Sequence, residues 1–426
     1  MTVAIFLGAL IGSMALGIPI AFALLITAVA LMIHLDFFDA QIIAQNLING
    51  ADSFPLLAVP FFLLAGEVMN AGGLSKRIVN VALTFVGHVK GGLGYVAIFA
   101  SVLLASLSGS AVADSAALAA LLVPMMVRAG HDRARSCGLI ASGGIIAPVI
   151  PPSIGFVVFG VASGVSISKL FLAGIAPGAM MGLALVIVWT LVSRKENTET
   201  LPRASRKERL HAILDGSWAL MLPVIIIVGL KMGVFTPTEA AVVAAVYSLF
   251  VAVFVYKELK LKDILPVFIQ AATTTAVVMF LVAAAMVTAW LITIADLPSQ
   301  LIDLLQPFMD NPTLLLVVIM LIIVAVGCMM DMTPTILILA PVLMPVVKQA
   351  GIDPVYFGVL FIINCSIGLI TPPVGTVLNV VSGVGKVSIV DLIRGIWPFL
   401  LAQLTLLFLF VAFPDLILVP ARWLNG

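Results

Sequence analysis

Apolar runs interrupted by a few clustered charges set the pattern of this chain. The runs over 170–192, 217–232, 236–256 and 265–294 read as membrane-crossing helices, the middle two short. Two other apolar stretches have the wrong length for a span and a polar centre. Residues 92–127 carry "SLSGSAVAD" (106–114), and residues 313–349 carry "GCMMDMTPT" (327–335). Each arm has about 15 residues, roughly 22 Å of helix, against a hydrocarbon core of about 30 Å. The pattern predicts two re-entrant helical hairpins that enter, turn at the polar tip and leave on the same side. Non-helical backbone at that depth must face protein or a wet cavity.

Prolines break two further helices. "APVIPPSIG" (147–155) falls inside the apolar segment 136–167, and "LITPPVGT" (369–376) falls inside 354–385. An interior proline removes a backbone donor and clashes with the preceding turn, at roughly 3 kcal/mol. The two breaks belong to a repeat. Pro124 matches Pro345, Gly130 matches Gly351, and Pro151 and Pro152 match Pro372 and Pro373. Gly174 and Pro177 likewise match Gly395 and Pro398, and every pair is 221 residues apart. The chain therefore divides into a first repeat (1–192), a polar linker (193–216) and a second repeat (217–426).

Charge sets the orientation. Arg194, Lys195, Arg203, Arg206, Lys207 and Arg209 place the linker in the cytoplasm. Counting back, Lys169 is periplasmic and "RAGHDRAR" (128–135) is cytoplasmic. Counting forward, "KELKLK" (257–262) is cytoplasmic, and "QPFMDNP" (306–312) and "KQAGIDP" (348–354) are periplasmic. Matched loops face opposite sides, so the repeats have inverted topology. The predicted fold is an all-α polytopic membrane protein. Each half carries one re-entrant hairpin (92–127 and 313–349) and one broken helix (136–167 and 354–385). The segment "KRIVNVALTFVGHVK" (76–90) reads as an interfacial brace, with a short span as the alternative.

Composition agrees and narrows the chemistry. Of 426 residues, 62% are hydrophobic and 10% charged, and mean hydropathy is +1.26, values of a membrane protein. A net charge of +1 without a basic stripe gives nucleic acid no footing. Cys137, Cys328 and Cys365, and His34, His88, His131 and His211, are scattered, so neither a disulfide framework nor a metal cluster is predicted. The start lacks a basic n-region and reads as a retained membrane segment. An intramembrane enzyme would need a nucleophile–base set, a metal motif or paired catalytic aspartates. Only Asp114 and Asp331 keep that reading open.

At a helix break the last carbonyls lack amide partners, and the next half-helix begins with a positive dipole end. Carbonyls and hydroxyls suit a small dehydrated cation, and helix N-termini suit a carboxylate. Near the membrane midplane, that is the binding site of a secondary transporter.

The motifs "GIPIAFALL", "PFFLLAGEVMNAGGLS", "SLSGSAVADSAAL", "APVIPPS" and "GLITPPVGTVLNV" make the chain resemble the large membrane subunit of tripartite ATP-independent periplasmic (TRAP) transporters. The resemblance covers nearly the whole chain. It implies sodium-coupled uptake of an organic acid by an elevator motion, in the bacterial inner membrane. It also implies a separate small four-helix membrane subunit and a periplasmic solute-binding protein as partners. Sialic acid, other sugar acids and C4-dicarboxylates all fit. Sodium at about two coupling sites is the implied ion, without an organic cofactor. The competing transporter reading is a stand-alone sodium–dicarboxylate carrier or antiporter of the same fold, although such carriers often show Ser-Asn-Thr at the tips.

Within that frame Ser106, Ser108 and Ser110, with backbone from Gly144, Val149 and Pro151, form the first expected cation set. Small residues permitting close helix packing are the alternative. Repeat symmetry supplies Gly327, Gly368, Thr371 and Val374 as the second set. Asp114, Asp331, Ser153 and Thr376 are candidate substrate contacts, and the two acids read equally well as half-helix caps. Glu67 and Glu239 read as scaffold pairs or caps. The periplasmic stretch 35–52, with Asp36, Asp39 and Asp52, reads as an acidic connection that could steer a partner.

Overall fold

A computed structural model describes residues 2–194 and 198–425. Regular structure among them is helical, and eight helices are long and apolar enough to cross a membrane. The fold is that of an all-α polytopic membrane protein, as predicted.

The repeat is visible element by element. The first hairpin has arms Gly92–Ser108 and Ala111–Arg128, and the second has arms Pro312–Gly327 and Met332–Gln349. The first broken helix runs as Arg133–Gly144 and Ile154–Ser163, the second as Pro354–Gly368 and Thr376–Gly385. A long helix follows each, Ile167–Ser193 and Ile389–Ala412. Local chemistry repeats too. Asp132 caps the first broken helix by accepting from the Arg135 amide at 2.7 Å, and Asp353 caps the second by accepting from Val355 and Tyr356 at 2.9 and 2.8 Å. Gly130 and Gly351 both turn the preceding chain at positive φ, 92° and 70°. The Pro151–Pro152 and Pro372–Pro373 bonds are both cis.

The halves interlock. The exit arm Ala111–Arg128 packs on Thr376–Gly385 of the other half, and Met332–Gln349 packs on Ile154–Ser163. Ile389–Ala412 lies along Arg133–Gly144. Phe159 meets Phe357 and Phe361 with ring centroids at 6.3 and 5.3 Å. Trp189, fully buried, donates to the Gly91 carbonyl at 2.8 Å and so fixes the base of the first hairpin. These elements form an inner body.

An outer group of helices embraces it, with Leu261–Ile294 packed on Ile20–His34, Ala40–Ala51 and Ala58–Ala71. Lipid tails are as apolar as leucine, so helices here associate mainly through close packing between small residues. Pro237–Phe250 accordingly buries Ala240, Ala241, Ala244 and Ala245, and its partner Ala58–Ala71 buries Ala58, Ala65 and Gly66. Glu239 closes a capping box with Thr236.

The segment 76–90 lies largely in the helix Leu74–Val86, with apolar and polar residues on opposite faces. It packs between Arg206–Lys231 and the hairpin arm Gly92–Ser108. Arg77 anchors it. Its guanidinium pairs with Asp215 at 3.2 Å and Glu258 at 2.7 Å and lies 3.7 Å over the Tyr256 ring.

Three connections differ from their sequence reading. The linker 193–216 is shorter, because Ser205 and Glu208 form a capping box that starts the next helix at Arg206. The stretch 35–52 is mostly the helix Ala40–Ala51, and Asp39 is its cap, accepting from Gln41 at 2.7 Å. The loop before residue 312 contains the helix Leu297–Leu305. Lys195 lies outside the described residues.

Candidate functional site

Each hairpin tip rests on a proline break through bare backbone. At the first, Gly109 takes a positive φ of 63° to turn between the arms, and a side chain there would strike the Pro152 carbonyl. At the second, a Cβ on Gly368 would lie 2.8 Å from the Gly327 backbone. Glycine is required at both by the closeness of two main chains.

The first tip is sealed. Ser108 Oγ donates to Asp114 Oδ1 at 2.6 Å and accepts from the Ser110 amide at 3.1 Å, so one hydroxyl ties the tip to the first turn of the exit arm. Ser110 caps that arm, accepting from Ala113 at 3.4 Å, and Ser106 donates to the Leu103 carbonyl at 2.6 Å. Ser153 caps the half-helix Ile154–Ser163, accepting from Phe156 at 3.1 Å, and donates to the Pro148 carbonyl across the break. Gly144 ends the preceding half-helix against the Ser115 hydroxyl. Pro151 is buried in the break, whereas the Val149 carbonyl faces Gly174 of the long helix rather than the tip. Gly66 of the outer group lies against Ser108.

The second tip is open. Asp331 is exposed and accepts from Thr376 Oγ1 at 3.3 Å, so these two candidates meet across tip and break. Asp331 precedes the helix Met332–Gln349 without a side-chain capping bond. The Thr371 hydroxyl donates to Ile367 at 2.7 Å, which leaves its lone pairs to accept. The Val374 amide donates to the Cys328 carbonyl at 3.2 Å, joining tip to break a second time, and its side chain is 44% exposed. Asn379, in the motif "GLITPPVGTVLNV" but not singled out as a candidate, donates to the Val374 carbonyl at 3.0 Å.

The two tips are linked. Gly155, just past the first break, lies against the Met332 thioether at the second tip. Four half-helices therefore start at these tips and breaks, at Ala111, Ile154, Met332 and Thr376. Their N-terminal dipoles favour negative charge, while the hydroxyls and carbonyls favour a cation.

Sequence reasoning found Asp114 but missed three further buried oxygens. Asp114 Oδ2, Ser115 Oγ, Ser142 Oγ and Asn364 Oδ1 are enclosed without a hydrogen-bond partner. Unpaired oxygen at that depth is costly unless something else fills its valence. A serine, serine and asparagine inside the runs "ADSAAL", "LIASGG" and "FIINCS" were the available signal.

The assembly can be set beside known proteins. Residues 7–416 match the family described as tripartite ATP-independent periplasmic transporter, DctM component. The chain is 61% identical over 425 residues to the 2,3-diketo-L-gulonate TRAP transporter large permease protein YiaN of Escherichia coli (strain K12), covering 100% of both. It is 40% identical over 416 residues to the sialic acid TRAP transporter large permease protein SiaM of Vibrio cholerae, covering 97% of each. In fold it is similar to the crystal structure of the Alcanivorax borkumensis YdaH transporter, with TM-score 0.65, 16% identity, and coverage of 90% and 88% of the two chains.

Proposed function

Because this chain belongs to the DctM family of TRAP transporters and is a multi-pass protein of the bacterial inner membrane, we propose that it imports a sugar-acid carboxylate by sodium coupling. The observation that carries this reading is the double motif of hairpin tip on broken helix, with a half-helix starting at each tip and each break and the unpaired Asp114 and Ser115 oxygens beside the first pair. The buried Asp114 and Ser115 oxygens, beside Gly144 and Ser108, supply the hard donors that a dehydrated sodium ion needs. Thr371 and the Gly327–Gly368 contact make the corresponding second site. The substrate carboxylate lies between them, reached from the open side where Asp331 and Thr376 meet. Relatedness to a 2,3-diketo-L-gulonate permease favours a keto sugar acid over a C4-dicarboxylate.

In this reading the first hairpin enters from the cytoplasm and the second from the periplasm. The inner body carries the solute past the outer group, an elevator motion for which Leu74–Val86 is the brace. A periplasmic solute-binding protein delivers the acid, and a separate four-helix subunit completes the outer group.

The test is uptake into vesicles holding this chain with its small subunit. Two sodium ions and one carboxylate bring in net positive charge. A unit charge crossing the field gains about 2.3 kcal/mol per 100 mV, so an inside-negative potassium–valinomycin potential should accelerate uptake. Full-rate uptake without sodium overturns the coupling. Full-rate uptake of free acid without the binding protein instead favours the stand-alone carrier.

A further inference from the structure

Far from the tips, the inner body has a polar concavity. A cavity of about 530 Å³ opens where the start of Arg133–Gly144 meets the turn before Ile389–Ala412. Arg133, Arg135, Lys386 and Arg394 line it, against Asp132 and Asp391. Both acids are engaged. Asp132 caps its helix, and Asp391 accepts from the Ser388 hydroxyl at 2.6 Å with Arg394 at 3.9 Å. Arg133 is held as well, donating to the Gly385 and Lys386 carbonyls at 3.2 and 3.4 Å. Lys386 and Arg394 are exposed at the mouth. The cavity therefore presents excess positive charge at the end of a bundle of membrane helices.

What lies below the mouth identifies the ligand. Val390, Arg394, Trp397 and Leu401 recur at helical spacing, so they share one face of Ile389–Ala412. Val390, Trp397 and Leu401 are 60%, 47% and 54% exposed. A soluble anion has no use for that apolar stripe, whereas an acyl chain does, and a tryptophan one turn inside a cation marks the headgroup level. Basic pockets between membrane helices on the cytoplasmic side are suited to anionic headgroups.

We propose that this cavity binds the phosphate of an anionic phospholipid, with Lys386 and Arg394 on the phosphate and an acyl chain along Val390, Trp397 and Leu401. Placing it in the cytoplasmic leaflet rests on the orientation proposed above. The site itself does not, because it is read by lipid binding and not by transport.

The full-length protein in phosphatidylcholine nanodiscs is titrated with phosphatidylglycerol, and retained lipid is counted by native mass spectrometry. Lys386→Gln and Arg394→Gln should each weaken retention about fivefold, and the pair about 25-fold. Arg133 is left intact because it holds backbone. Lys262→Gln, a cation on another helix, should change nothing, and all variants should keep the parent's unfolding temperature in phosphatidylcholine. Unchanged phosphatidylglycerol retention in the double variant overturns the proposal. So does an equal loss in Lys262→Gln, which would mean diffuse surface attraction. Displacement by glycerol phosphate as effective as by phosphatidylglycerol would show a soluble-anion site and also overturn it.

Discussion

The Ser108 hydroxyl donates to Asp114 at 2.6 Å while accepting from the Ser110 amide, so a single oxygen holds both a buried carboxylate and the turn of the first tip. Ser108→Ala removes both bonds and leaves a second Asp114 oxygen unpaired. A buried acceptor stripped of its donor costs about 1–3 kcal/mol. The expected outcome is a lower unfolding temperature in detergent together with a raised half-saturating sodium concentration. A drop in stability with unchanged sodium dependence would mean that the bond is purely structural.

Thr371 separates hydroxyl from packing at the second tip. Its donor is already used on Ile367, so only its acceptor side is available to an ion. Thr371→Ala should raise half-saturating sodium, and Thr371→Ser should restore it. The measurement is initial uptake rate against sodium concentration for the three proteins. Equal curves would remove this hydroxyl from the ion site.

The glycine contacts give a steric prediction. Gly109→Ala adds a carbon against the Pro152 carbonyl at a φ that disfavours it, and Gly368→Ala adds one 2.8 Å from the Gly327 backbone. Backbone cannot step aside as a flexible side chain can. Both variants should assemble poorly or lose nearly all uptake. Gly383→Ala, where nothing lies within reach, should cost no more than an ordinary helix substitution. Expression, size-exclusion profile and uptake measured together decide it.

Arg77 predicts a different signature, because it ties Leu74–Val86 to Asp215 of Arg206–Lys231 and to Glu258 rather than lying at a tip. Its side chain is 17% exposed and its two partners 41%. The ion pairs therefore fall between exposed ones, about 0–1 kcal/mol, and buried ones, about 3–5 kcal/mol when broken. Arg77→Gln should cost about 1–3 kcal/mol in that interval. Uptake rate should fall with half-saturating sodium unchanged. A Glu258→Gln double-mutant cycle should show the two residues to be coupled. A shifted sodium curve would place Arg77 in the ion site instead.

The acidic segment near Asp36 can be tested without disturbing its helix. Asp36 has φ 57°, a conformation asparagine tolerates, and Asp39 is a cap that serine can replace. Asp36→Asn with Asp39→Ser should slow delivery by the solute-binding protein most at low salt, where the screening length reaches about 30 Å against about 8 Å at physiological strength. Identical rates at both salt concentrations would make the segment a plain connection.

The hairpins are legible in the sequence as pairs of apolar arms joined by a polar tip. The exit arms Ala111–Arg128 and Met332–Gln349, at 18 residues each, are nevertheless longer than the expected length of about 15 and rank among the eight helices long and apolar enough to cross a membrane. The constant offset also carries over: Ala111 and Met332 start matched arms, and Arg128 and Gln349 end them. The breaks are less legible. The half-helix before the first break ends at Gly144 and the one before the second at Gly368, positions that are not 221 residues apart. Backbone carbonyls are the least legible ligands, since their direction depends on how the break turns and not on side-chain identity, and Val149 turns its oxygen toward Gly174. The helix starting at Arg206 is hidden because charge marks a loop in a membrane protein, while the capping box that overrides it spans only Ser205 to Glu208. Pairings such as Thr376 with Asp331 depend on which half packs on which, and no periodicity encodes that.

The exchange of partners between the two halves also sets a timetable for biogenesis. The exit arm Ala111–Arg128 is seated on a helix that begins only at Thr376. Roughly 250 residues must still be made before that partner emerges, about 10–50 s at about 5–20 residues per second. Throughout that interval the first hairpin sits in or near the bilayer with the unpaired Asp114 oxygen and a face lacking its mate. The nascent chain thus needs a sheltered compartment, from the insertion machinery or from the already assembled outer helices. Expressing the halves as two polypeptides would yield a folded protein only when both are present at once.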